Sequence, residues 1–112
     1  MNDIYRQLED FVYIDGHRFP YNKWIADEVM KVYLRRGKHY INDHKYTTLD
    51  IASVEVVEWK RRQGYFSRFL QTAVEIKPWE GVYVENVITP FLALFLSKNG
   101  FKYYQHSYYV LF

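Results

Sequence analysis

The chain has 112 residues, of which 49% are hydrophobic and 21% aromatic, so one packed domain is favoured over two domains or a disordered chain. Its 15 lysines and arginines against 13 acidic residues leave a net charge of +2, too balanced for a dedicated nucleic-acid coat. Cysteine is absent, which excludes disulfides, thiolate metal sites and a cysteine nucleophile.

The start of the chain, MNDIYRQLEDF, lacks the basic end and apolar run of a signal peptide. No stretch approaches the roughly 18 apolar residues that a membrane-spanning helix needs. The richest apolar run, FLALFL at residues 91–96, has the length of a core helix. We therefore expect a cytoplasmic protein with no membrane partner.

The first part of the chain predicts two helices and a hairpin. A short helix is expected over residues 2–10, followed by a hairpin whose turn is Asp15-Gly16 within FVYIDGHRF, because both central positions of such a turn favour positive φ. The stretch PYNKWIADEVMKVYLRRG predicts a helix over residues 22–36, capped by Asn22 and ended at Gly37. Its apolar stripe is Trp24, Ile25, Val29, Val32 and Tyr33.

The rest of the chain alternates strands and helices. KHYIN and YTTLDIASVEVVEW predict two strands around a turn at residues 43–45, and a helix follows over 65–76. VYVENVI predicts a strand over 82–88, FLALFLSK a helix after the Thr89 cap, and FKYYQ with SYYVLF a final strand pair. This order predicts a single α/β domain with a mixed antiparallel-parallel sheet flanked by helices. The core stripe of helix 65–76 is Phe66, Phe69, Leu70, Ala73 and Val74.

The stretch EVVEWKRRQGYFSRFL, residues 55–70, joins a strand to a helix through a basic turn with one glycine. Free N–H groups at the start of a helix form an anion site together with the helix dipole, and Gly64 lets a phosphate approach the backbone. The cations nearby are Lys60, Arg61, Arg62 and Arg68. A phosphate cradle and a solvated basic turn between two core elements both fit this pattern.

Residues 46–101 resemble the GNAT acyltransferase family. SVEVVEWKRRQGYFSRFL is similar to the end of that family's fourth strand and its Arg/Gln-x-x-Gly-x-Gly/Ala pyrophosphate loop, and VYVENVITPFLALFLSKNGFKYY to its fifth strand, fourth helix and following Gly-Phe. The resemblance implies a GNAT-like acyl-CoA N-acyltransferase fold over residues 1–112, with a variable half (1–45), an acyl-CoA-binding core (46–101) and a C-terminal strand pair (101–112). Compact chains of this kind resemble acetyltransferase-like proteins of phage genomes.

The resemblance implies an acetyl-CoA-dependent N-acetyltransferase that moves acetyl to an amine by direct attack in a ternary complex. Loop amides would hold the pyrophosphate, and an amide of the preceding strand would polarise the thioester carbonyl. Asn86 either bonds the coenzyme or merely satisfies a strand end. The expected coenzyme contacts are Val56, Val57, Arg61, Arg62, Gln63, Gly64, Tyr65, Phe66, Ser67 and Asn86.

The attacking amine must lose a proton, so the resemblance also implies a general base. Asp50 and Glu55 are the candidates, and each could instead be a solvated or salt-bridged strand carboxylate. Strand alternation places them on opposite faces, so at most one faces the cleft. The four histidines are scattered without metal-ligand spacing, and we expect no metal.

Two residues depart from the family pattern. Phe66 stands where the loop favours Gly or Ala, and Leu96 stands where a tyrosine usually protonates the departing thiolate. Tyr103, Tyr104 or Ser97 are possible substitutes for that tyrosine. The alternative function is a catalytically inactive GNAT-fold module that binds or inhibits another protein.

The aromatic C-terminal strands are a candidate homodimer or partner surface, formed by Tyr103, Tyr104, Tyr108 and Tyr109. The expected partner is otherwise an amine-bearing protein or small molecule. A weaker reading is a small nucleic-acid-binding domain that uses the basic turn and the cluster Arg35, Arg36 and Lys38.

Overall fold

The computed structural model describes residues 3–61 and 63–112, so the roles predicted for Arg62 and the predicted helix start at Asn2 lie outside the described residues. In the described part, three α-helices accompany a six-stranded sheet. The helices are α1 (Ile4–Tyr13), α2 (Tyr65–Glu75) and α3 (Pro90–Lys98), and the strands are β1 (Asn22–Ala26), β2 (Met30–Ile41), β3 (His44–Val56), β4 (Gly81–Val84), β5 (Lys102–Tyr104) and β6 (Ser107–Leu111).

The strands lie in the order β1-β2-β3-β4-β6-β5. Strands β3 and β4 are parallel and are joined through α2, whereas the other neighbouring pairs are antiparallel. Parallel neighbours need such a crossover connection, while antiparallel ones can be joined by short turns. The predicted single α/β domain with a mixed sheet is confirmed.

The two faces of the sheet carry different clusters. All three helices bury apolar side chains in the larger cluster, which includes Phe11 of α1, Phe69 of α2 and Leu96 of α3. The smaller cluster lies on the opposite face, centres on Tyr83 and Tyr109, and contains only strand residues among those described. None of the described helices is long and apolar enough to cross a membrane.

The helix predicted over residues 22–36 is wrong, because this stretch forms β1, a turn and most of β2. The burial of Met30, Val32 and Leu34, with more exposed residues between them, follows the period of a strand. The Asp27 carboxylate accepts from the N–H groups of the next turn residues, Val29 and Met30, at 2.8 Å each. Other apolar residues of this stretch lie at helical spacing, but the pairing of β1 with β2 and of β2 with β3 decides for strands.

The hairpin predicted around Asp15-Gly16 is also wrong. Helix α1 extends to Tyr13, and residues 15–17 form a short 3-10 helix. Gly16 is needed there for room, since a Cβ would lie 2.7 Å from the Phe11 carbonyl oxygen and 2.7 Å from the Trp79 ring.

Three boundaries differ from the sequence prediction. The turn between β2 and β3 lies at Asn42 and Asp43, both with positive φ, and not at residues 43–45. Strand β4 ends at Val84, short of the predicted 88. Gly37 lies inside β2 and ends no helix. By contrast, α2, α3 and the final strand pair lie where the sequence predicts them.

Candidate functional site

Strands β3 and β4 separate just beyond their short parallel ladder. The register of β2 against β3 shifts between Tyr33 and Leu34, where Ala52 of β3 is an extra residue without a partner. The Glu85 N–H donates to the Ile51 carbonyl at 3.0 Å, and beyond this bond no ladder joins the two strands in the described residues. We call this point the fork.

Beyond the bulge, the end of β3 stays paired with β2 and leaves its other edge open. The Val57 N–H donates to the Val29 carbonyl at 2.8 Å, on the side of β2. Successive strand residues direct their backbone groups to opposite edges, so the amide of Val56 faces the open edge. The Val56 carbonyl on that edge accepts from Arg61 Nε at 3.0 Å. Among the residues that the structure describes, the N–H of Val56 therefore has no partner, whereas that of Val57 is bonded.

A cleft of about 770 Å³ opens between the end of β3, the start of α2 and the start of α3. Its volume lies within the usual range for small-molecule sites, roughly 300–1,000 Å³. Both helices begin at this cleft, so their positive dipole ends face the same space. The lining residues are Val54, Glu55, Val56, Lys60, Arg61, Gly64, Tyr65, Phe66, Ser67, Thr89, Phe91, Leu92 and Phe95.

The start of α2 has the backbone geometry of an anion site. Gly64 is the N-cap, with φ at +81° and no side-chain cap. The first helical bond runs from the Arg68 N–H to the Gly64 carbonyl, and the N–H groups of Tyr65 and Ser67 have no acceptor within residues 3–61 and 63–112. A Cβ built at Gly64 meets nothing within 4 Å. The amides are thus available to an anion in the cleft.

Among the described residues, three cations surround this helix start. Lys60 and Arg61 line the cleft. The ammonium of Lys60 lies 6.0 Å and the guanidinium of Arg68 4.9 Å from the centre of the Tyr65 ring. The ring thus holds positive charge beside the free amides.

The remaining predicted coenzyme contacts lie in different places. Phe66 lines the cleft, and its ring stacks on that of Phe69 with the ring centroids 6.2 Å apart. The phenyl ring of Phe66 therefore forms part of the wall of the cleft. Gln63 donates to the Trp59 carbonyl at 2.9 Å and is absent from the described lining. Asn86 lies past the end of β4 with φ at +52°, and its N–H donates to Ser107 Oγ at 3.3 Å.

The two candidate bases differ sharply in exposure. Glu55 is exposed and lies at the cleft. Asp50 is only 2% exposed, and both of its carboxylate oxygens are bonded. His39 Nε2 lies 2.8 Å from Oδ2, and Thr48 Oγ1 donates to Oδ1 at 2.6 Å. Asp50 therefore presents no free oxygen to an amine.

Sequence reasoning missed the polar cluster around Asp50. One ligand-type atom each of His39, Asp50 and Glu85 lies within 4.8 Å of the others, which is close enough for a metal site. These groups already bond one another and their neighbours, because Arg35 pairs with Glu85 and His39 with Asp50. We therefore describe them as an internally paired cluster. His39 of β2, Asp50 of β3 and Glu85 just past the end of β4 form it, so no spacing in the sequence could have revealed it.

Tyr83 forms the floor of this cluster. The His39 ring stacks on it with centroids 3.7 Å apart and planes 7° apart. Burial raises the pKa of the Tyr83 phenol above its ordinary value of 10.0, against a hydrogen bond from Ser107 that lowers the pKa. The negative charges of Asp50 and Glu85 add to the rise.

The residues considered for protonating the departing thiolate also differ in exposure. Leu96 is 0% exposed within the larger core cluster. Tyr103 is 59% exposed on the edge strand β5, and Ser97 is exposed on α3. In the final strand pair Tyr109 is 7% exposed, so only part of the predicted aromatic surface is available to a partner.

No family model and no curated protein matches this sequence. Solved structures do resemble the fold. The toxin AtaT complexed with acetyl-methionyl-tRNAfMet has a TM-score of 0.62 at 9% identity, over 88% of this chain and 75% of that one. A mutant AtaT bound to the C-terminus of the antitoxin AtaR and acetyl-CoA has a TM-score of 0.59 at 11% identity, over 74% of this chain and 58% of that one.

Arabidopsis thaliana NAA60 in complex with a bisubstrate analogue has a TM-score of 0.51 at 18% identity, over 75% of this chain and 64% of that one. The chain thus spans less than two thirds of the length of NAA60 and of the mutant AtaT chain. These neighbours are GNAT acetyltransferases. In agreement with the resemblance seen in the sequence, the chain has the GNAT fold.

Proposed function

We propose that the protein is an acetyl-CoA-dependent N-acetyltransferase that moves an acetyl group to an amine acceptor by direct attack in a ternary complex. The observation that supports this most is the cleft at the fork. It joins free amides at the start of α2, basic side chains and an open strand edge in one space. A coenzyme diphosphate needs the amides and the cations, and an extended pantetheine arm with its thioester needs the open strand edge.

Each part of the cleft has a task in the proposed reaction. The amides after Gly64 bind the diphosphate, with Lys60 and Arg61 balancing its charge. The Val56 N–H at the open edge of β3 donates to the thioester carbonyl, where negative charge develops during attack. Arg61 must release the Val56 carbonyl if that carbonyl is to accept from the pantetheine amide.

The acceptor is an amine, and its proton must be removed for attack. Of the two candidate carboxylates, Glu55 is exposed at the cleft and is the base we propose, whereas Asp50 would first have to release one of its two bonded oxygens. AtaT was solved with acetyl-methionyl-tRNAfMet and with part of its antitoxin, so aminoacyl-tRNA joins protein and small-molecule amines as an acceptor to test. We propose that the protein is cytoplasmic and that the reaction needs no metal.

The first experiment separates coenzyme binding from non-specific anion binding. Thermal unfolding is followed with acetyl-CoA and with S-acetylpantetheine, which lacks the diphosphate. Ligand at a hundred times its Kd stabilises a protein by about 2.7 kcal/mol. We expect millimolar acetyl-CoA to raise Tm and the fragment to have little effect. No shift with acetyl-CoA or CoA would refute the proposal.

The second experiment decides between the enzyme and an inactive GNAT-fold module that acts through protein contact. The module is favoured by Leu96, because a leucine buried in the core stands where the family usually has a tyrosine acid. Thiol release from acetyl-CoA is measured with a lysine peptide, a peptide with a free N-terminus, spermidine and methionyl-tRNA. Thiol release with any of these amines supports the transferase. Binding of acetyl-CoA without thiol release in the presence of any of the four supports the module.

A further inference from the structure

The stretch YLRRGKHY lies on β2, where side chains alternate between the two faces of the sheet. Arg35 lies on the face of the smaller cluster, where it pairs with Glu85. Arg36 and Lys38 lie on the opposite face. The pairing of β2 with β3 has no register shift in this part of the strand, so the alternation is regular. The cluster of cations expected from the sequence is therefore divided between two surfaces.

Arg36 is flanked by aromatic rings. Its guanidinium carbon lies 5.5 Å from the centre of the Tyr21 ring and 5.6 Å from that of the Trp79 ring. The backbone N–H of Arg36 donates to the Tyr21 carbonyl at 2.8 Å, which joins the segment before β1 to this part of β2. The Phe19 ring meets the Tyr21 ring edge to face, with the centroids 5.8 Å apart. These contacts bring one cation and three rings together.

The same surface continues along β2. Lys38 and Tyr40 follow Arg36 at steps of two residues, so their side chains lie on the same face, about 13 Å of strand in all. Tyr40 is paired with Lys45 of β3, whose side chain is also exposed. The name β2 patch is used below for Phe19, Tyr21, Arg36, Lys38, Tyr40 and Lys45.

The packing of the protein does not account for the rings of the β2 patch. Phe19 is 84% exposed, Tyr40 66% and Tyr21 38%. None of the three belongs to either apolar cluster of the described residues. Exposed rings that alternate with cations on one surface are typical of a binding surface.

The charge of the β2 patch favours an anionic partner. None of the salt bridges among the described residues uses its three cations. Two exposed acids lie at its margins. Asp43 is in the turn between β2 and β3, and the Glu80 carboxylate accepts from the Thr47 N–H at 2.8 Å, opposite Lys38 in the register. Rings for bases and cations for phosphates are the two features that single-stranded nucleic acid requires.

We propose that the β2 patch binds single-stranded nucleic acid. Bases stack on Phe19 and Tyr40, and phosphates contact Arg36, Lys38 and Lys45. Stacking accepts every base, so binding shows little sequence preference. The strong balance of charge in the whole chain does not oppose this, because the contact needs only a local excess of cations.

The β2 patch is separate from the coenzyme cleft. Val56 at the cleft pairs with Met30, and Lys38 lies eight residues further along β2, which is about 26 Å of strand. Nucleic acid and coenzyme can therefore bind at the same time. The inference goes beyond the proposed transferase and does not depend on it, so a chain that fails to bind acetyl-CoA would still allow it to be tested.

The first test measures stacking by fluorescence anisotropy of a labelled oligouridylate of about 12 nucleotides with the full chain. Phe19→Ala and Tyr40→Ala should each raise Kd by about 5- to 150-fold, as for the loss of one stacked base. The matched control is Tyr103→Ala, at a ring 59% exposed on the edge strand β5, which should leave Kd unchanged. No binding by the wild type, or the same Kd for wild type and both patch variants, would overturn the proposal.

The second test measures the phosphate contacts through the salt dependence of Kd. Lys38→Gln should reduce the slope of log Kd against log salt concentration by about 0.7, the value for one phosphate contact on a single strand. Lys102→Gln, at an exposed lysine on β5, should keep the slope of the wild type. An unchanged slope in Lys38→Gln would contradict the assignment. Thermal unfolding confirms that each variant is folded, since surface substitutions change stability little.

Competition experiments separate the β2 patch from other sites and partners. Binding of the oligonucleotide in the presence of saturating acetyl-CoA supports the patch, whereas its displacement by acetyl-CoA assigns the nucleic acid to the cleft and overturns the proposal. Binding to phosphatidylserine vesicles or to polyglutamate, without binding to the oligonucleotide, would assign the patch to a different partner. Equal affinity for a duplex of the same length, unaffected by the ring variants, would show contact through charge alone and refute stacking.

Discussion

Replacing Gly64 by alanine or glutamate tests the anion site, and the chain offers a matched control. Gly64 and Gly100 both have positive φ, +81° and +85°, and a Cβ at either meets nothing within 4 Å. Only Gly64 lines the cleft. Alanine at either position should therefore cost only the left-handed backbone conformation, about 1–2 kcal/mol. At about 4 °C per kcal/mol for a domain of this size, Tm should fall by about 4–8 °C in both variants.

The glutamate variants should differ in their response to ligand. Acetyl-CoA at a hundred times its Kd should raise Tm of the wild type by about 10 °C, from about 2.7 kcal/mol of stabilisation. In Gly64→Glu, a carboxylate takes the place of the diphosphate at the amides, so this rise should fall to about 2 °C or less. In Gly100→Glu, the rise should be that of the wild type.

Differential scanning fluorimetry with and without acetyl-CoA measures both effects, and isothermal titration calorimetry gives the Kd. The rise with ligand is compared within each variant, because a carboxylate favours a helix N-terminus and disfavours a C-terminus before any ligand is added. A normal rise in Gly64→Glu would refute the assignment of the start of α2 as the diphosphate site. An equal loss in both glutamate variants would show that the effect is on the fold.

Three further variants test the packing and the cluster. Gly37→Ala should lower Tm by about 12 °C, because the added Cβ would lie 1.7 Å from Asp50 Oδ2 and such overpacking costs about 3 kcal/mol. A Tm like that of Gly100→Ala would contradict this prediction. Phe69→Ala, at a side chain that is 0% exposed, should lower the free energy of unfolding in urea by about 3–5 kcal/mol. Ile88→Ala, at 87% exposure, should lower it by less than about 0.5 kcal/mol, and similar losses for both would contradict the position of Phe69 in the core. Burial raises the pKa of Tyr83 above 10.0, so as pH rises the unfolded chain loses the phenol proton before the folded chain does. The stability that this group contributes is therefore fully present below pH 10.0 and is lost as pH rises through the folded pKa. As pH rises above 10.0, Tyr83→Phe should lose less stability than the wild type, and equal slopes of the unfolding free energy against pH would exclude this contribution.

The half of the chain that resembles the family could be predicted well from its residues. Phe69, Leu70 and Ala73 of α2 are buried at helical spacing, and Pro90 begins α3, so local periodicity and capping were enough. The basic turn before α2 and the glycine at the start of α2 could also be predicted from the sequence, because they lie within a few residues of one another.

The first part of the chain could not be predicted in the same way. Val32 lies at helical spacing from Val29 and also alternates with Leu34 as in a strand, and only pairing with neighbouring strands separates the two. The ends of β1 and β2 therefore depend on residues that lie far along the chain. The same reason explains why β4 stops at Val84, since the bulge at Ala52 in β3 ends their ladder.

The sequence by itself determined the class of the fold, the position of α2 and the basic turn with a glycine that precedes it, because these follow from short-range spacing, backbone freedom at Gly64 and local charge. Only the tertiary structure decided which amide of β3 is free, that Asp50 is buried, and that His39 meets it. Those contacts arise from strand register across the sheet, where a shift of one residue turns every side chain to the other face.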